Sequence, residues 1–229
     1  MRYLPILFLF LAACQPPTEY DVLIRNGIIY DGSGSEPFTG DIAINGDKIV
    51  YTGPALEKAR AKTIIDASGK IVSPGFVNML SWSNISLIHD GRALSGIKQG
   101  VTLEIMGEGT SMGPYTEAQK KYIEENQGHI KYKITWTTLG QYLEYLEKKG
   151  VSVNVGSFVG AATVRAHELG FENRKPTPEE LERMQNLVAQ AMQEGAMGLG
   201  SALIYAPGSY AGTEELIALS KTAASYNGM

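Results

Sequence analysis

The feature that most constrains the fold is an alternation of short apolar strands and capped helices that begins at residue 76. The predicted strands are almost continuously apolar and do not alternate between apolar and polar residues. This pattern is typical of parallel strands that are buried on both faces. Strands of this kind separated by helices predict an α/β protein with a parallel sheet. The strand segments are "VTLEIM", "VSVNVGSFVG" and "MGLGSAL".

Four threonines predict where helices of this region begin. A threonine hydroxyl can accept a hydrogen bond from a free backbone N–H at a helix start, and a Gln or Glu three residues later completes a capping box. Thr213 lacks that partner, but two glutamates follow it and suit the positive end of a helix dipole. The three capping boxes are Thr116 with Gln119, Thr138 with Gln141 and Thr177 with Glu180.

Residues 20–75 have a different pattern and predict a small β module. Asn26-Gly27 and Asn45-Gly46 each stand between apolar segments, and Asn-Gly is a strong signal for a tight β-hairpin. Residues 76–229 then contain about four βα units of a TIM-type barrel. Because a closed barrel of eight such units needs roughly 250 residues, we expect this barrel to be incomplete.

The N-terminus predicts export. The apolar run of residues 3–13 is too short to cross a bilayer core of about 30 Å, and it ends directly before Cys14. Small residues before a cysteine resemble the lipobox of bacterial lipoproteins. We therefore predict a lipoprotein signal peptide at residues 1–13, a lipidated Cys14, a tether at residues 14–19 and a lipid-anchored protein of the cell envelope, on its periplasmic or extracellular face. An ordinary secretory signal is the alternative.

Composition excludes two classes of function. The formal net charge is −4 and no run of Lys or Arg occurs, so the sequence does not support nucleic-acid binding. Cys14 is the single cysteine, which leaves no thiolate for catalysis or metal binding after it and no internal disulfide.

Five stretches together resemble the D-aminoacylase (N-acyl-D-amino-acid deacylase) branch of the amidohydrolase superfamily, and they match its N-terminal half only. The resemblance implies a small β-sandwich-like module at residues 20–75 beside a metal-dependent TIM barrel. The barrel would use zinc to activate water and hydrolyse non-peptide C–N bonds, here the amide of an N-acyl amino acid. The stretches, in family order, are "DVLIRNGIIYDGSG", "IIDASGKIVSPGF", "IKQGVTLEIMGEG", "VNVGSFVGAATVR" and "GAMGLGSALIYAPGSYAGTEELIALSKTAA".

The chain departs from the family at its metal ligands. The His-x-His pair of the family falls on Leu80 and Trp82, and its metal-binding cysteine falls on Gly109. The remaining family ligands correspond to positions beyond residue 229. Glu108 is a candidate replacement ligand, because a carboxylate binds zinc and this residue follows a predicted strand. Its alternative roles are to cap the strand end or to pair with a cation.

Two further residues are candidates by position. Glu104 lies four residues before Glu108, so strand alternation predicts the same face for both. We expect Glu104 to pack against a helix-face lysine, and a second polar residue inside the barrel is the alternative. Tyr205 matches a segment that lines the substrate pocket in the family, which makes it a candidate substrate-binding residue, and packing on Pro207 is the alternative. No catalytic residue is assigned.

Other motifs carry less weight. Ser111 lies in a G-x-S-x-G pattern, but Pro114 and Tyr115 delay the helix that a nucleophilic serine requires. The three histidines share no metal-ligand spacing; they are His89, His129 and His167, and we expect His89 to begin a helix region.

Two functions stay open, namely an amidohydrolase of which this chain is the N-terminal part, and a non-catalytic tethered binding or scaffold lipoprotein. We expect the 229 residues alone to be inactive.

Overall fold

The computed structural model describes residues 19–229. Within that range the chain divides into two compact units, one ending at Pro74 and the other beginning at Gly75. The predicted signal peptide, Cys14 and all but the last residue of the predicted tether lie outside the described residues. Among residues 19–229, no helix combines the length and apolarity that a membrane span requires.

The first unit is a five-stranded mixed sheet in the order β3-β2-β1-β4, with β5 paired to the far end of β1. Strands β1, β2 and β3 are antiparallel neighbours, whereas β4 and β5 run parallel to β1. Leu23, Ile42 and Ala43 are buried on this sheet. The strands are β1 (Glu19–Ile29), β2 (Phe38–Asn45), β3 (Lys48–Gly53), β4 (Arg60–Asp66) and β5 (Ile71–Val72).

Of the two predicted hairpins, the one at Asn45-Gly46 is confirmed. Asn45 pairs with Lys48 across the turn, and Gly46 has a φ of +58°. This backbone conformation costs glycine least because it has no Cβ.

The hairpin predicted at Asn26-Gly27 is wrong, because β1 runs through both residues. The pairing of β1 with β2 shifts register between Ile24 and Gly27, so Asn26 forms a bulge with a φ of +60°. The backbone N–H of Asn26 donates to Oδ1 of Asp41, at 3.1 Å, in place of a ladder partner. The tolerance of Asn for positive φ therefore serves a bulge within one strand.

The second unit contains parallel strands that alternate with helices, with β8 and β9 joined directly before the next helix, and this confirms the predicted class of fold with its about four βα units. Strands β6, β7 and β8 form one sheet and β9 pairs with β10. Phe158 joins β8 to β9, and Ser157 accepts a hydrogen bond from the backbone N–H of Met197, just before β10. The strands are β6 (Phe76–Asn78), β7 (Val101–Met106), β8 (Asn154–Ser157), β9 (Val159–Gly160) and β10 (Leu199–Gly200).

The helices lie between these strands. The N-cap predictions for Thr116, Thr138 and Thr177 are confirmed, each within a complete capping box. The helices are α1 (Asn84–His89) and α2 (Leu94–Ile97) after β6, α3 (Glu117–Glu125) and α4 (Leu139–Lys149) after β7, α5 (Ala161–Leu169) and α6 (Pro178–Gln193) after β9, and α7 (Thr213–Ser225) after β10.

The predicted cap at Thr213 is wrong. Gly212 is the N-cap of α7 and has an extended backbone, with φ −78° and ψ 161°. The first helical hydrogen bond runs from Leu216 to the carbonyl of Gly212. Thr213 is thus already inside the helix, where its hydroxyl cannot accept from the orphan N–H groups.

The core of the second unit packs α4, α6 and α7 against the strands. Trp136 and Tyr142 are buried with their ring centroids 5.2 Å apart, and the Tyr142 hydroxyl donates to the carbonyl of Asn84 at 2.9 Å. An ion pair of Arg165 and Glu215 lies in the same interior, with Nη1 and Oε2 2.5 Å apart. This pair links α5 to α7.

Candidate functional site

The candidate site lies at the carboxyl ends of β6, β7 and β10, where α/β barrel proteins gather their functional groups. The segments that follow these strands carry Leu80 and Trp82, then Glu108 and Gly109, then Tyr205. The structure therefore places the residues named from the sequence on loops at one edge of the parallel strands.

Leu80 and Trp82 follow β6. Ser81 between them is buried, and its backbone N–H donates to the carbonyl of Ile105 at 2.8 Å, which continues the pairing with β7. The residues on either side are 54% and 59% exposed. Neither a Leu side chain nor an indole N–H offers a lone pair to a metal, so these two positions do not contribute to a zinc site.

The resemblance assigns Gly109 to the position of the family's metal-binding cysteine, and in the structure this position has no room for a side chain. A Cβ at this position would lie 2.6 Å from Cβ and 3.0 Å from the backbone nitrogen of Ala202, and φ is +70°. The carbonyl of Gly109 also accepts from the backbone N–H of Ala162 at 2.9 Å. A cysteine would require this loop to move away from the segment after β10.

The sequence analysis did not identify three glycines that allow the backbone segments at the ends of these strands to pack closely. Gly107, Gly160 and Gly200 end or follow successive strands, and a Cβ on any of them would lie 2.1 to 2.5 Å from a backbone oxygen. Side chains are therefore excluded where the strand ends meet. The signal available in the sequence was a glycine at the carboxyl end of β7, β9 and β10.

Glu108 is half-buried in the loop after β7. Within residues 19–229, no three His, Cys, Asp or Glu side chains lie close enough together to hold a metal ion. A structural or catalytic zinc needs at least three protein ligands. The described residues therefore do not fit a complete zinc site, and Glu108 would be one ligand at most.

Glu104 is buried, and the prediction that it packs against a helix-face lysine is wrong. Its Oε2 accepts a hydrogen bond from Nδ2 of Asn78 on β6, at 2.9 Å, and no lysine takes that place. Its Oε1 approaches Gly96 of α2. β7 ends at Met106, and Gly107 with a φ of +96° interrupts the alternation on which a shared face with Glu108 depended.

Tyr205 lies in the loop between β10 and the short 3-10 helix Gly208–Tyr210, and its side chain is 66% exposed. Its carbonyl accepts from the backbone N–H of Ser209 at 2.9 Å, which holds the loop against that helix. The phenol is accessible to a ligand, and its substrate-binding role stays a prediction.

Ser111 is a structural residue. Its buried hydroxyl donates to the carbonyl of Gly113 at 2.6 Å and accepts from the backbone N–H of Gly160 at 2.9 Å. α3 begins only at Glu117, so the strand–turn–helix geometry of a nucleophile elbow is not present here. This serine ties the loop after β7 to β9.

The histidines do not converge within the described residues. His89 is the last residue of α1, so the prediction that it begins a helix region is wrong. His129 lies in the loop after α3, and Nδ1 of His167 on α5 lies 3.2 Å from Oε1 of Glu168. None of the three belongs to a cluster able to bind a metal within residues 19–229.

No family model matches the chain. D-aminoacylase of Alcaligenes xylosoxydans xylosoxydans is 29% identical over 214 residues, which is 92% of this chain and 43% of that protein. A crystal structure of D-aminoacylase superposes on 91% of this chain and 44% of its own, with a TM-score of 0.81 and 29% identity.

A second solved structure is N-acyl-D-glutamate deacylase from Bordetella bronchiseptica, complexed with zinc and a phosphonate inhibitor. It is 27% identical, with a TM-score of 0.78 over 90% of this chain and 43% of that one. This chain therefore spans less than half the length of the relatives that it matches. Its neighbours in sequence and in structure are D-aminoacylases of the amidohydrolase superfamily, and the chain corresponds to the N-terminal part of these proteins.

Proposed function

We propose that this chain forms the N-terminal part of a metal-dependent amidohydrolase that cleaves the amide bond of an N-acyl amino acid. The observation that carries the proposal is the likeness to D-aminoacylase over 91% of the chain at a TM-score of 0.81. Relatives of similar identity are named N-acyl-D-aspartate and N-acyl-D-glutamate deacylases, so N-acyl-D-amino acids are the substrates to test first.

The metal of this proposal cannot be held by the described residues alone. Leu80, Trp82 and Gly109 supply no ligand, which leaves Glu108 as the one proposed zinc ligand. The remaining ligands would have to come from sequence that corresponds to the later part of the relatives. We therefore expect no hydrolysis by the 229-residue chain on its own.

The first experiment compares the polypeptide made by the source cell with the purified 229-residue chain. The mass of the native product, its zinc content by plasma mass spectrometry and its hydrolysis of N-acetyl-D-methionine, N-acetyl-D-aspartate and N-acetyl-D-glutamate are measured. Bound zinc and amide hydrolysis in the native product are expected. A native product without zinc and without hydrolysis would rule out the amidohydrolase.

Glu108→Gln in the native product tests the proposed ligand. The amide keeps the size of the side chain but removes the charge that binds zinc, so we expect zinc content and hydrolysis to fall together. Glu117→Gln is the matched control, because its side chain is 87% exposed on α3. Equal zinc content in both variants would mean that Glu108 is not a ligand.

Tyr205 is proposed to contact the substrate through its hydroxyl. Tyr205→Phe keeps the ring and removes the donor, so KM should rise while zinc content stays unchanged. Tyr30→Phe, in the first unit, is the control. An unchanged KM in Tyr205→Phe would contradict the contact.

The second candidate is a non-catalytic tethered protein that binds a ligand or a partner. The geometry at Gly109 favours it, because the position of the family cysteine is packed against Ala202 and cannot accept a side chain. The exchange of both histidine positions for Leu80 and Trp82 favours it as well. Zinc-free, inactive native protein would support this candidate.

Membrane tethering through a lipid on Cys14 is the proposed location, and it rests on the sequence of residues 1–14. Fractionation of cells that express the protein tests it. The protein should sediment with membranes and incorporate labelled palmitate, and Cys14→Ser should do neither. Release of both forms into the soluble fraction would contradict the anchor.

A further inference from the structure

We propose that a small cavity between β7 and the helices α1 and α2 binds a primary ammonium ion through the carboxylate of Glu104. The cavity lies within the second unit and has a volume of about 210 Å³, which is the liquid volume of about seven water molecules. Its lining includes none of Leu80, Trp82, Glu108 and Tyr205. It is therefore separate from the residues that the proposed hydrolysis would use.

Glu104 is a buried carboxylate with one oxygen left over. The residue is 5% exposed. Its Oε2 accepts a hydrogen bond from Nδ2 of Asn78 at 2.9 Å, whereas Oε1 has no hydrogen-bond partner within residues 19–229. Oε1 is also not one of the fully enclosed unpaired polar atoms of this range, so it keeps accessible surface in the cavity that Glu104 lines. A ligand in the cavity can therefore reach this oxygen.

The charge of Glu104 has no counter-charge in the described part of the chain. Glu104 belongs to none of the ion pairs found among residues 19–229, and the amide of Asn78 is neutral. A buried carboxylate is normally paired with a cation or bound to a metal, because the loss of its hydration is otherwise unfavourable. A positively charged ligand would supply the missing partner.

The other titratable residues of the lining leave this role open. Both carboxylate oxygens of Asp90 accept from the guanidinium of Arg92, at 2.8 Å each, so Asp90 already has its cation. His89 lines the cavity but forms no ion pair with Glu104, and the lining contains no Lys or Arg. Glu104 is therefore the group that determines the charge of the ligand.

The wall suits an ammonium ion better than a divalent metal. Within residues 19–229, no three His, Cys, Asp or Glu side chains lie close enough together to hold a metal ion. Ser83, Ser86 and Ser95 line the cavity, and hydroxyl oxygens can accept the N–H bonds that the carboxylate does not take. Leu87 and Leu94 add an apolar part to the wall. A short alkyl chain with an ammonium group at its end matches this combination.

The test compares n-propylammonium chloride with 1-propanol, which has the same number of non-hydrogen atoms and no charge. Each is titrated into the purified, isotope-labelled 229-residue chain at constant ionic strength and followed by nuclear magnetic resonance. The amide signal of Gly96 reports on the cavity, because a Cβ on Gly96 would lie 3.0 Å from Oε1 of Glu104. n-Propylammonium should shift this signal saturably, and 1-propanol should bind at least about tenfold more weakly for the loss of a charged hydrogen bond.

Glu104→Gln tests the carboxylate itself. Glutamine keeps the size of the side chain and an oxygen that can accept from Asn78, but it has no charge, so n-propylammonium should bind to it about as weakly as 1-propanol. Glu117→Gln removes a charge from an 87% exposed side chain on α3; it is the matched control and should bind as the unchanged chain does. Circular dichroism melting of each variant ensures that only folded protein is compared.

Equal affinity of the unchanged chain for the two compounds would overturn the proposal, whatever the variants do. So would the lack of a saturable shift of Gly96 in folded protein, or unchanged affinity in folded Glu104→Gln. Displacement of n-propylammonium by an equal concentration of potassium chloride would overturn the assignment to an ammonium ion. None of these results depends on zinc or on hydrolysis, so failure here is distinguishable from failure of the proposed function.

Discussion

At the scale of single residues, the loop after β7 is held by the hydrogen bonds of Ser111. This side chain connects the carbonyl of Gly113 with the backbone N–H of Gly160. Removal of the hydroxyl leaves a buried acceptor and a buried donor without partners, and each unpaired group costs about 1–3 kcal/mol. Ser111 therefore matters for stability and offers no free hydroxyl for nucleophilic attack.

We predict that Ser111→Ala lowers the free energy of unfolding by about 2–6 kcal/mol, because two buried groups each lose their partner. Urea unfolding followed by circular dichroism measures this change. Ser220→Ala, on the exposed surface of α7, is the control and should stay within about 0.5 kcal/mol of the unchanged chain. Covalent labelling of Ser111 by a fluorophosphonate, detected by mass spectrometry, would contradict the structural role.

Some residue contacts at this site could be predicted from the sequence and others could not. Residue chemistry alone shows that the side chains of Leu80, Trp82 and Gly109 supply no metal ligand, whereas the resemblance to the deacylases assigned these positions to a metal site. The sequence did not reveal that Gly109 is packed against Ala202, or that Glu104 accepts from Asn78. Those contacts join residues far apart in the chain, and no local pattern encodes them.

At the scale of elements, local signals succeeded where both partners are near in sequence. The capping boxes of α3, α4 and α6 join residues three apart, so the sequence contains the whole interaction. In α6, Glu180 also accepts from Nη1 and Nη2 of Arg174, at 2.6 and 2.7 Å, and this contact lowers the pKa of its carboxyl to about 2. The bulge at Asn26 depends on Asp41 of the neighbouring strand, so the Asn-Gly signal alone could not distinguish it from a turn.

The two threonines at the starts of α6 and α7 allow a matched test of capping. Thr177 accepts from the backbone N–H of Glu180 at 3.3 Å, whereas Thr213 lies inside α7 behind Gly212. We predict that Thr177→Ala destabilises the chain by about 0.5–2 kcal/mol and that Thr213→Ala changes stability by less than about 0.5 kcal/mol. Thermal melting by circular dichroism compares them. Equal losses in both variants would mean that the start of α7 has been misassigned.

At the scale of the whole molecule, the predicted order of elements is confirmed, with a sheet module before parallel βα units. The order could be predicted because apolar runs indicate strands and capping residues indicate helix starts, and both signals recur along the chain. The exposed surfaces could not be predicted from the sequence, because the exposure of a residue depends on what packs beside its strand. Phe76, Met79 and Leu80 on and after β6 are apolar and more than half exposed.

Strand β6 has one open edge. Within residues 19–229, β6 pairs with β7 alone, so one side of this strand presents unpaired backbone groups beside apolar side chains. Such an edge is a template for pairing with another chain. We predict that the purified 229-residue chain self-associates with rising concentration, as measured by light scattering after size exclusion, and that Val77→Lys on β6 shifts it toward monomer.

Ile217→Lys separates the effect of the edge from that of hydrophobicity. Val77 and Ile217 are both 49% exposed, but Ile217 lies on α7, where the backbone hydrogen bonds are made within the helix. A charge at residue 217 should therefore leave self-association nearly unchanged. An equal effect of both substitutions would indicate general apolar contact, and a chain that stays monomeric at every concentration would show that this edge is protected. If Val77→Lys alone acts, the strand edge is the surface through which the chains associate.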